Sequence, residues 1–414
     1  PAHVTAGRRD LEYRVQCGER AYSVDLTPIR MGAPGVATVD ASNCIREEHI
    51  LKPARVTVHS MDVQLAERQR YAYIPGAAEK VRDTLALFGV SFTVVTDAEL
   101  GFVDFNQFDA VVVGPNAYVL RDEVRKNAAR LLDYVEKGGT LIVQYQTYRY
   151  QQPGLAPYPI RYSQPHDRVT ISTMPIEILE PENMLFRFPN AITEPDFAGW
   201  ERDRGMYFAG EWDPRYTPLL SCADPGEPAK HGGLLECQYG KGTYIYMAYT
   251  LFRQLPAGVP GAFRLFANLL GVPEARVLQR MEFLKKVPLF ETVPPEHLHA
   301  VAKIMTNRWI ADGTFVCRQG EQGDEMYVVR KGELEIVQES SGKAEVVFVA
   351  REGVCVGEFA VVGKIPRTAS LRARGDTELL VIEGPHFLDL IRENPELSIQ
   401  VMQMLVARLT ASKV

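Results

Sequence analysis

Alternation of apolar and polar residues dominates the first seventy positions. Leu11, Tyr13, Val15 and Cys17 alternate with polar neighbours, and Tyr22, Val24 and Leu26 do so again before Pro28. Val56 and Val58 repeat the pattern, and Gly32-Ala33-Pro34-Gly35 forms a turn cluster between them. A period of two predicts strands. A few strands with no helix bury too little to fold alone. Residues 1–67 are therefore expected to pack on the following domain or to be the remainder of a longer β-sandwich.

From Arg70 the period changes. Tyr71 to Ile74 predicts a strand closed by Pro75-Gly76, and Lys80 to Phe88 has apolar residues at helical spacing. Phe92 to Val95 and Asp109 to Gly114 predict two more strands. A long amphipathic helix is predicted over Arg121–Glu136, capped by Gly138-Gly139 ahead of a strand at Thr140–Val143. Strands alternating with helices define an α/β fold with a doubly wound, flavodoxin-like parallel sheet. Residues 150–218 are rich in proline and aromatics, as expected of an irregular insertion with short β pieces. A hairpin over Leu234–Tyr249, turning at Gly240-Lys241-Gly242, and a helix over Ala262–Leu270 complete this domain. Gly271-Val272-Pro273 reads as a linker. Beyond it come a short helix, a glycine-broken β-rich stretch from Trp309 to Ile382, and two closing helices, the last over Leu397–Leu409.

Composition narrows the class. The 414 residues suffice for roughly two to three domains, and 46% hydrophobic with 24% charged residues is ordinary for globular chains. The net charge of −6 lacks the basic excess of a nucleic-acid-binding protein. No apolar run approaches the ~20 residues of a membrane helix. Pro1-Ala2-His3-Val4 opens no apolar signal segment. Cys17, Cys44, Cys222, Cys237, Cys317 and Cys355 show no CxxC spacing and read as reduced packing thiols. The expected location is the cytoplasm, with neither membrane nor nucleic acid as partner.

Gly357-Glu358-Phe359-Ala360-Val361-Val362-Gly363-Lys364-Ile365-Pro366-Arg367-Thr368-Ala369 is the segment with the most chemistry. Its small residues let the backbone wrap a short helical turn with free N–H groups facing an anion. Arg367 adds a fixed positive fork that suits a phosphate. Glu358 can accept from a sugar hydroxyl, and Thr368 adds a donor. This segment resembles the phosphate-binding cassette of the cyclic nucleotide-binding domain family, whose members include catabolite activators, kinase regulatory subunits and nucleotide-gated channels. Gly313, Gly320, Gly323-Asp324, Met326-Tyr327-Val328-Val329 and Gly332 match the family's β-roll turns, so the resemblance runs from about Gln279 to the C-terminus. It implies an α+β domain built on a β-roll, with cAMP or cGMP as regulatory ligand and no metal. By the same resemblance, Glu358 binds the ribose 2′-hydroxyl, and Arg367 and Thr368 bind the cyclic phosphate. Gly357, Phe359, Ala360 and Ala369 complete the cradle. An ordinary loop bearing a surface Glu358–Arg367 ion pair is the competing explanation.

In that family, a threonine after the cassette arginine accompanies cGMP binding. One neutral hydrogen bond is worth only about 0.5–1.5 kcal/mol, so Thr368 permits cGMP without excluding cAMP. The chain ends soon after its last helix, so the base-capping residue carried there in relatives is expected to be missing.

The stretch from Arg70 to Leu270 resembles the class I glutamine-amidotransferase-like domain appended to some PIG-L type de-N-acetylases. The residues that carry this are Tyr207 to Leu220, Tyr239 to Tyr244 and Phe252 to Gly261. Active amidotransferases place a cysteine after the strand corresponding to Leu141-Ile142-Val143. Here Gln144, Tyr145 and Gln146 stand there, and glutamine cannot serve as the thiolate nucleophile. Pro165-His166-Asp167-Arg168 only approximates the de-N-acetylase metal motif. His297 and His299, two apart on a helix, point to different sides and make a poor metal pair. Cys237 sits in an apolar strand pattern, and Gly240-Lys241-Gly242 reads as a turn rather than a phosphate loop. Tyr145, Tyr148, Tyr150, Tyr158 and Tyr162, with Arg149 and Arg161, line either a pocket or a packing surface.

The expected organisation is a β-rich segment at 1–67, an amidotransferase-like domain at 68–272 and a cyclic nucleotide-binding domain at 278–414. The expected function is a cyclic-nucleotide sensor whose α/β domain has no catalytic residues and serves as a binding or assembly module, for a protein partner or a second copy. The alternative is a cyclic-nucleotide-regulated enzyme, hydrolase or amidotransferase-like, acting at the strand ends through Asn116, Gln144 and Gln146 with Glu211 and Asp213. A regulatory half of a de-N-acetylase is a third possibility.

Overall fold

A computed structural model describes residues 11–17, 20–26, 61–67, 69–77, 90, 92–291, 293–340 and 343–411. The chain divides into two compact units, Pro1–Asp62 and Val63–Val414. In the first, β1 (Leu11–Cys17) and β2 (Arg20–Leu26) form an antiparallel hairpin with Leu11 opposite Leu26 and Cys17 opposite Arg20. The expected turn at 32–35, the strand near Val56 and Val58 and the helix over Lys80–Phe88 lie outside the described residues.

The second unit begins with a mixed seven-stranded sheet. Its strands are β3 (Tyr71–Ile74), β4 (Phe92–Val94), β5 (Ala110–Val113), β6 (Thr140–Gln144), β7 (Thr217–Pro218), β8 (Leu234–Tyr239) and β9 (Gly242–Met247), in the order β7-β8-β9-β6-β5-β3-β4. The five from β9 to β4 run parallel, while β7 and β8 are antiparallel additions. β5 and β6 are buried along their whole length. That is why they read as unbroken apolar runs rather than as alternating strands.

Two expectations need correction. The helix over Arg121–Glu136 is two pieces, α2 (Asp122–Lys126) and α3 (Ala128–Glu136), broken at Asn127 (φ −98°, ψ 9°), and a separate turn, α1 (Ala117–Leu120), precedes them. Arg121 separates α1 from α2 with extended backbone (φ −117°, ψ 108°), which lets its guanidinium donate to the Pro75 carbonyl at 2.9 Å and to Asp97. The linker at Gly271-Val272-Pro273 is instead the middle of α4 (Pro260–Leu284), one 25-residue helix. Gly271 is there for close approach, since a Cβ on it would stand 2.9 Å from Pro189 Cδ. Pro273 costs the helix one donor, but Gly271, Val272 and Ala275 are buried around it, and packing holds the helix through.

After α4 come α5 (Pro295–Ile304), β10 (Thr306–Ile310), β11 (Phe315–Cys317), β12 (Glu325–Ser340), β13 (Lys343–Ala350), β14 (Cys355–Val356), α6 (Glu358–Gly363), β15 (Ser370–Glu383), α7 (Gly384–Glu393) and α8 (Pro395–Ala411). The strands form a six-stranded antiparallel sheet in the order β10-β15-β12-β13, with β11 on β15 and β14 on β12. Alternate residues of β12 and β15 serve two cores. Met326, Val328, Leu380 and Ile382 pack with the helices against Leu298, Phe387 and Leu397. Tyr327, Val329, Leu379 and Val381 face the opposite way, toward Leu334, Val356 and Leu371. Among the described residues, no helix is long and apolar enough to cross a membrane.

Candidate functional site

The second core opens into a cavity of about 530 Å³. Gly357, Glu358, Phe359, Ala360, Arg367, Thr368 and Ala369 all line it, together with Ile336, Gln338, Val347, Phe348, Leu371 and Arg408. Apolar walls with a few convergent polar groups are the usual make-up of a small-molecule site.

Arg367 is held from both its backbone and its side chain. Its N–H donates to Glu321 O at 2.8 Å, and its carbonyl accepts from Gly320 N–H at 2.9 Å. Arg367 is almost wholly buried, at 5% exposure, with its guanidinium in a slot between two glycines. A Cβ on Gly323 would lie 2.4 Å from Arg367 Nε, and one on Gly357 would lie 2.8 Å from its Nη1. Gly357 also has φ 91°, a backbone that side chains rarely adopt. Both glycines are therefore required, one for space and one for space and angle. Nη1 donates to Gly357 O and Nη2 to the Tyr327 hydroxyl, each at 3.3 Å. Nε is buried without a partner.

Glu358 opens α6 and is fully buried. Its Oε1 pairs with Arg408 of α8, while Oε2 is buried with no donor. Burial pushes its carboxyl pKa above the usual range, and the Arg408 charge only partly offsets this. Arg367 and Glu358, which both line the cavity, thus each keep one buried polar atom without a partner. Thr368 is exposed at its lip. The last helix reaches the pocket through Arg408, which also donates to Cys355 O. It is the one basic residue of α8, and that was its only signal in the sequence. Tyr327 reads in the sequence as a framework residue, but nothing there signals its contact with Arg367.

The strand ends of the first sheet are built differently. A Cβ on Gly76 would lie 2.0 Å from Pro115 O, and Ala77 N–H donates to that same oxygen at 2.6 Å. The loops after β3 and β5 therefore close on one another where open sheets leave a crevice. Gln146 is fully buried as a latch. Its oxygen accepts from Tyr118 N–H at 3.2 Å, and its nitrogen donates to Gly114 O at 3.1 Å and Gln144 O at 2.7 Å. Gln144 is buried with both amide atoms unpartnered. Asn116 adopts φ 56° at the start of α1. Asp213 pairs with Arg215, which holds its carboxyl pKa at about 2, and Glu211 is exposed.

Several of the tyrosines pack on one another. The Tyr162 and Tyr246 hydroxyls bond at 3.0 Å, Tyr150 stacks on Tyr246, and Arg215, not Arg149 or Arg161, lies 3.6 Å over Tyr158. His166 stacks on Tyr207 at 3.8 Å, and Ser163 donates to Asp167 at 2.7 Å. His299 bonds Glu274, while Lys241 in the β8–β9 turn bonds Glu383. Burial pushes the Cys237 thiol pKa far up, away from nucleophilic use. No group of three or more metal-binding side chains occurs among the described residues.

Residues 307–394 match the cyclic nucleotide-binding domain family. Over 132 residues, 31% of this chain and 17% of the relative, the sequence is 30% identical to the cGMP-dependent protein kinase egl-4 of Caenorhabditis elegans. Over 94 residues, 22% of this chain and 23% of the relative, it is 32% identical to a cAMP-dependent protein kinase regulatory subunit of Blastocladiella emersonii. Among solved structures, the catabolite activator protein of Thermus thermophilus aligns over 30% of this chain and 60% of its own at 27% identity, with a TM-score of 0.29. The chain thus spans about a fifth of the length of these two curated relatives. Its C-terminal region carries the cyclic nucleotide-binding β-roll fold.

Proposed function

We propose that this chain senses cAMP or cGMP in the cytoplasm through a domain at 278–414, and that the 68–272 module is a non-catalytic, amidotransferase-like binding or assembly unit. One observation carries the nucleotide reading. Arg367 and Glu358 line the same cavity, and each holds a buried polar atom, Nε and Oε2, that has no partner. A buried polar group without a partner costs about 1–3 kcal/mol, and a cyclic nucleotide relieves both costs at once. Its phosphate accepts from Arg367, with Thr368 and the small-residue backbone of Gly357, Phe359, Ala360 and Ala369 around it. Its ribose hydroxyl donates to Glu358 Oε2. The base then lies against Val347, Phe348 and Ile336. The matched family and the kinase relatives support the same ligand class.

For the α/β module, support comes from the glutamine-bearing strand end, the closed Gly76–Pro115 approach and the latch made by Gln146. The parallel order of β4-β3-β5-β6-β9 fits a flavodoxin-like sheet with antiparallel strands added at one edge. The free thiols of Cys222, Cys237, Cys317 and Cys355 fit a reducing compartment.

Calorimetry with cAMP and cGMP on the full chain tests the ligand. Charge-assisted hydrogen bonds are worth about 1.5–3 kcal/mol, so Arg367→Ala and Glu358→Ala should each weaken binding by roughly tenfold or more. Gly323→Ala should do the same by displacing the guanidinium. Absence of heat with either nucleotide at millimolar concentration refutes the proposal.

A further inference from the structure

Arg367 is the end of a chain of contacts that leaves the pocket. The Tyr327 hydroxyl accepts from Arg367 Nη2 at 3.3 Å and donates to Glu325 Oε2 at 2.9 Å. Glu325 is gripped by both terminal nitrogens of Arg308, at 2.6 and 2.8 Å. Arg308 lies on β10, next to Asn307, whose carbonyl accepts from Gln238 Nε2 of β8 at 2.8 Å. Glu325 stands opposite Glu383 across the β12–β15 ladder, and Glu383 meets Lys241 of the β8–β9 turn at 3.3 Å. The groups that face Glu325 are therefore Arg308, Tyr327 and, at longer range, Lys241. Their combined pull outweighs the upward push of burial and holds the Glu325 carboxyl pKa below the usual range.

We infer that Tyr327 and Glu325 are positioning residues that set the Arg367 guanidinium and tie its position to the β8–β9 hairpin of the seven-stranded sheet. This rests on the nucleotide reading above. A phosphate in the cavity competes with the Tyr327 hydroxyl for the donors of Arg367. Once Arg367 turns to the phosphate, the Tyr327 hydroxyl falls back on Glu325 and on Arg308 beside it, and the Glu325–Arg308 pair must adjust. Arg308 is one residue from the carbonyl that the hairpin holds, and Glu383, beside Glu325, is held by the hairpin's own lysine. Occupancy of the pocket is thereby read at Gln238 and Lys241, at the sheet's antiparallel edge. The sensor's output is then a change in the α/β module itself.

Hydrogen exchange of the full chain, with and without saturating cAMP or cGMP, tests this at residues 236–243, alongside calorimetry. Nucleotide should slow or speed exchange there in the unmodified protein. Tyr327→Phe and Glu325→Gln should bind within about tenfold of it, since neither residue lines the cavity, yet lose that response. Glu325→Asp, which keeps the charge, should recover part of it. Lys241→Ala, at an exposed turn remote from the cavity, should blunt the response with affinity unchanged, and it serves where a core variant fails to fold. Nucleotide binding with no change at 236–243, or a full response in Tyr327→Phe and Glu325→Gln, overturns the relay alone. Absence of binding by the unmodified protein overturns the nucleotide reading, and the relay falls with it.

Discussion

Glu358 shows how function and stability oppose each other at one residue. Its raised pKa means that the folded chain holds the proton more tightly than the unfolded chain. The favourable contribution is full below the unfolded pKa and is lost as pH rises through the folded one. Glu358 is thus a buried carboxyl with one oxygen on Arg408 and the other without a donor. Glu358→Gln keeps the shape and drops the charge. It should raise stability at pH 7 by about 0.5–2 kcal/mol, in the range of single stabilising substitutions, while weakening nucleotide binding. Thermal unfolding across pH checks both sign and window, since the gain must shrink as pH falls and the native carboxyl becomes neutral too. A lower melting temperature at pH 7 contradicts it. Glu358 and Arg367 were legible in the sequence because the cassette is one contiguous run. Arg408 and Tyr327 were not, because they reach Glu358 and Arg367 from 50 and 40 residues away.

Among the elements, α4 tests how far Gly and Pro can be trusted as punctuation. Gly271 and Pro273 carry the residue types of a linker but stand in mid-helix. In an unpacked helix Gly→Ala gains about 0.5–1 kcal/mol. Here the new methyl meets Pro189 Cδ at 2.9 Å, and overpacking of this kind costs about 1–3 kcal/mol. Gly271→Ala should therefore lower the melting temperature, with the amides around it slow to exchange in the unmodified protein. A stabilised variant shows that the site is loose. The strands and the hairpin at Gly240-Lys241-Gly242 were readable because their period and turn chemistry are local. The breaks between α1, α2 and α3 were not. Arg121 leaves helical geometry to satisfy Pro75 O and Asp97, partners that no helical pattern contains.

At the scale of the whole molecule, α4 packs on the first sheet's surroundings at one end and on the helical core of the nucleotide-binding fold at the other. Asn268 bonds Leu185 O and Asn190 O, while Val277 and Leu284 join Leu298 and Phe387. Residues 63–414 should accordingly melt in one transition. Ligand at a hundred times its dissociation constant stabilises by about 2.7 kcal/mol, so calorimetric scans should show that whole transition move upward. Two separate endotherms, with only one responding, contradict this. The same helix limits how its length can change. Each residue of an α-helix advances the azimuth by about 100°, so one residue inserted near 272 would swing every later contact a quarter-turn or more off its partner. Seven residues come back to within roughly 20°, displaced about 10 Å along the axis. Between the two halves, chain length is a matter of phase, and single-residue insertions or deletions should be far more damaging in α4 than in a flexible tether.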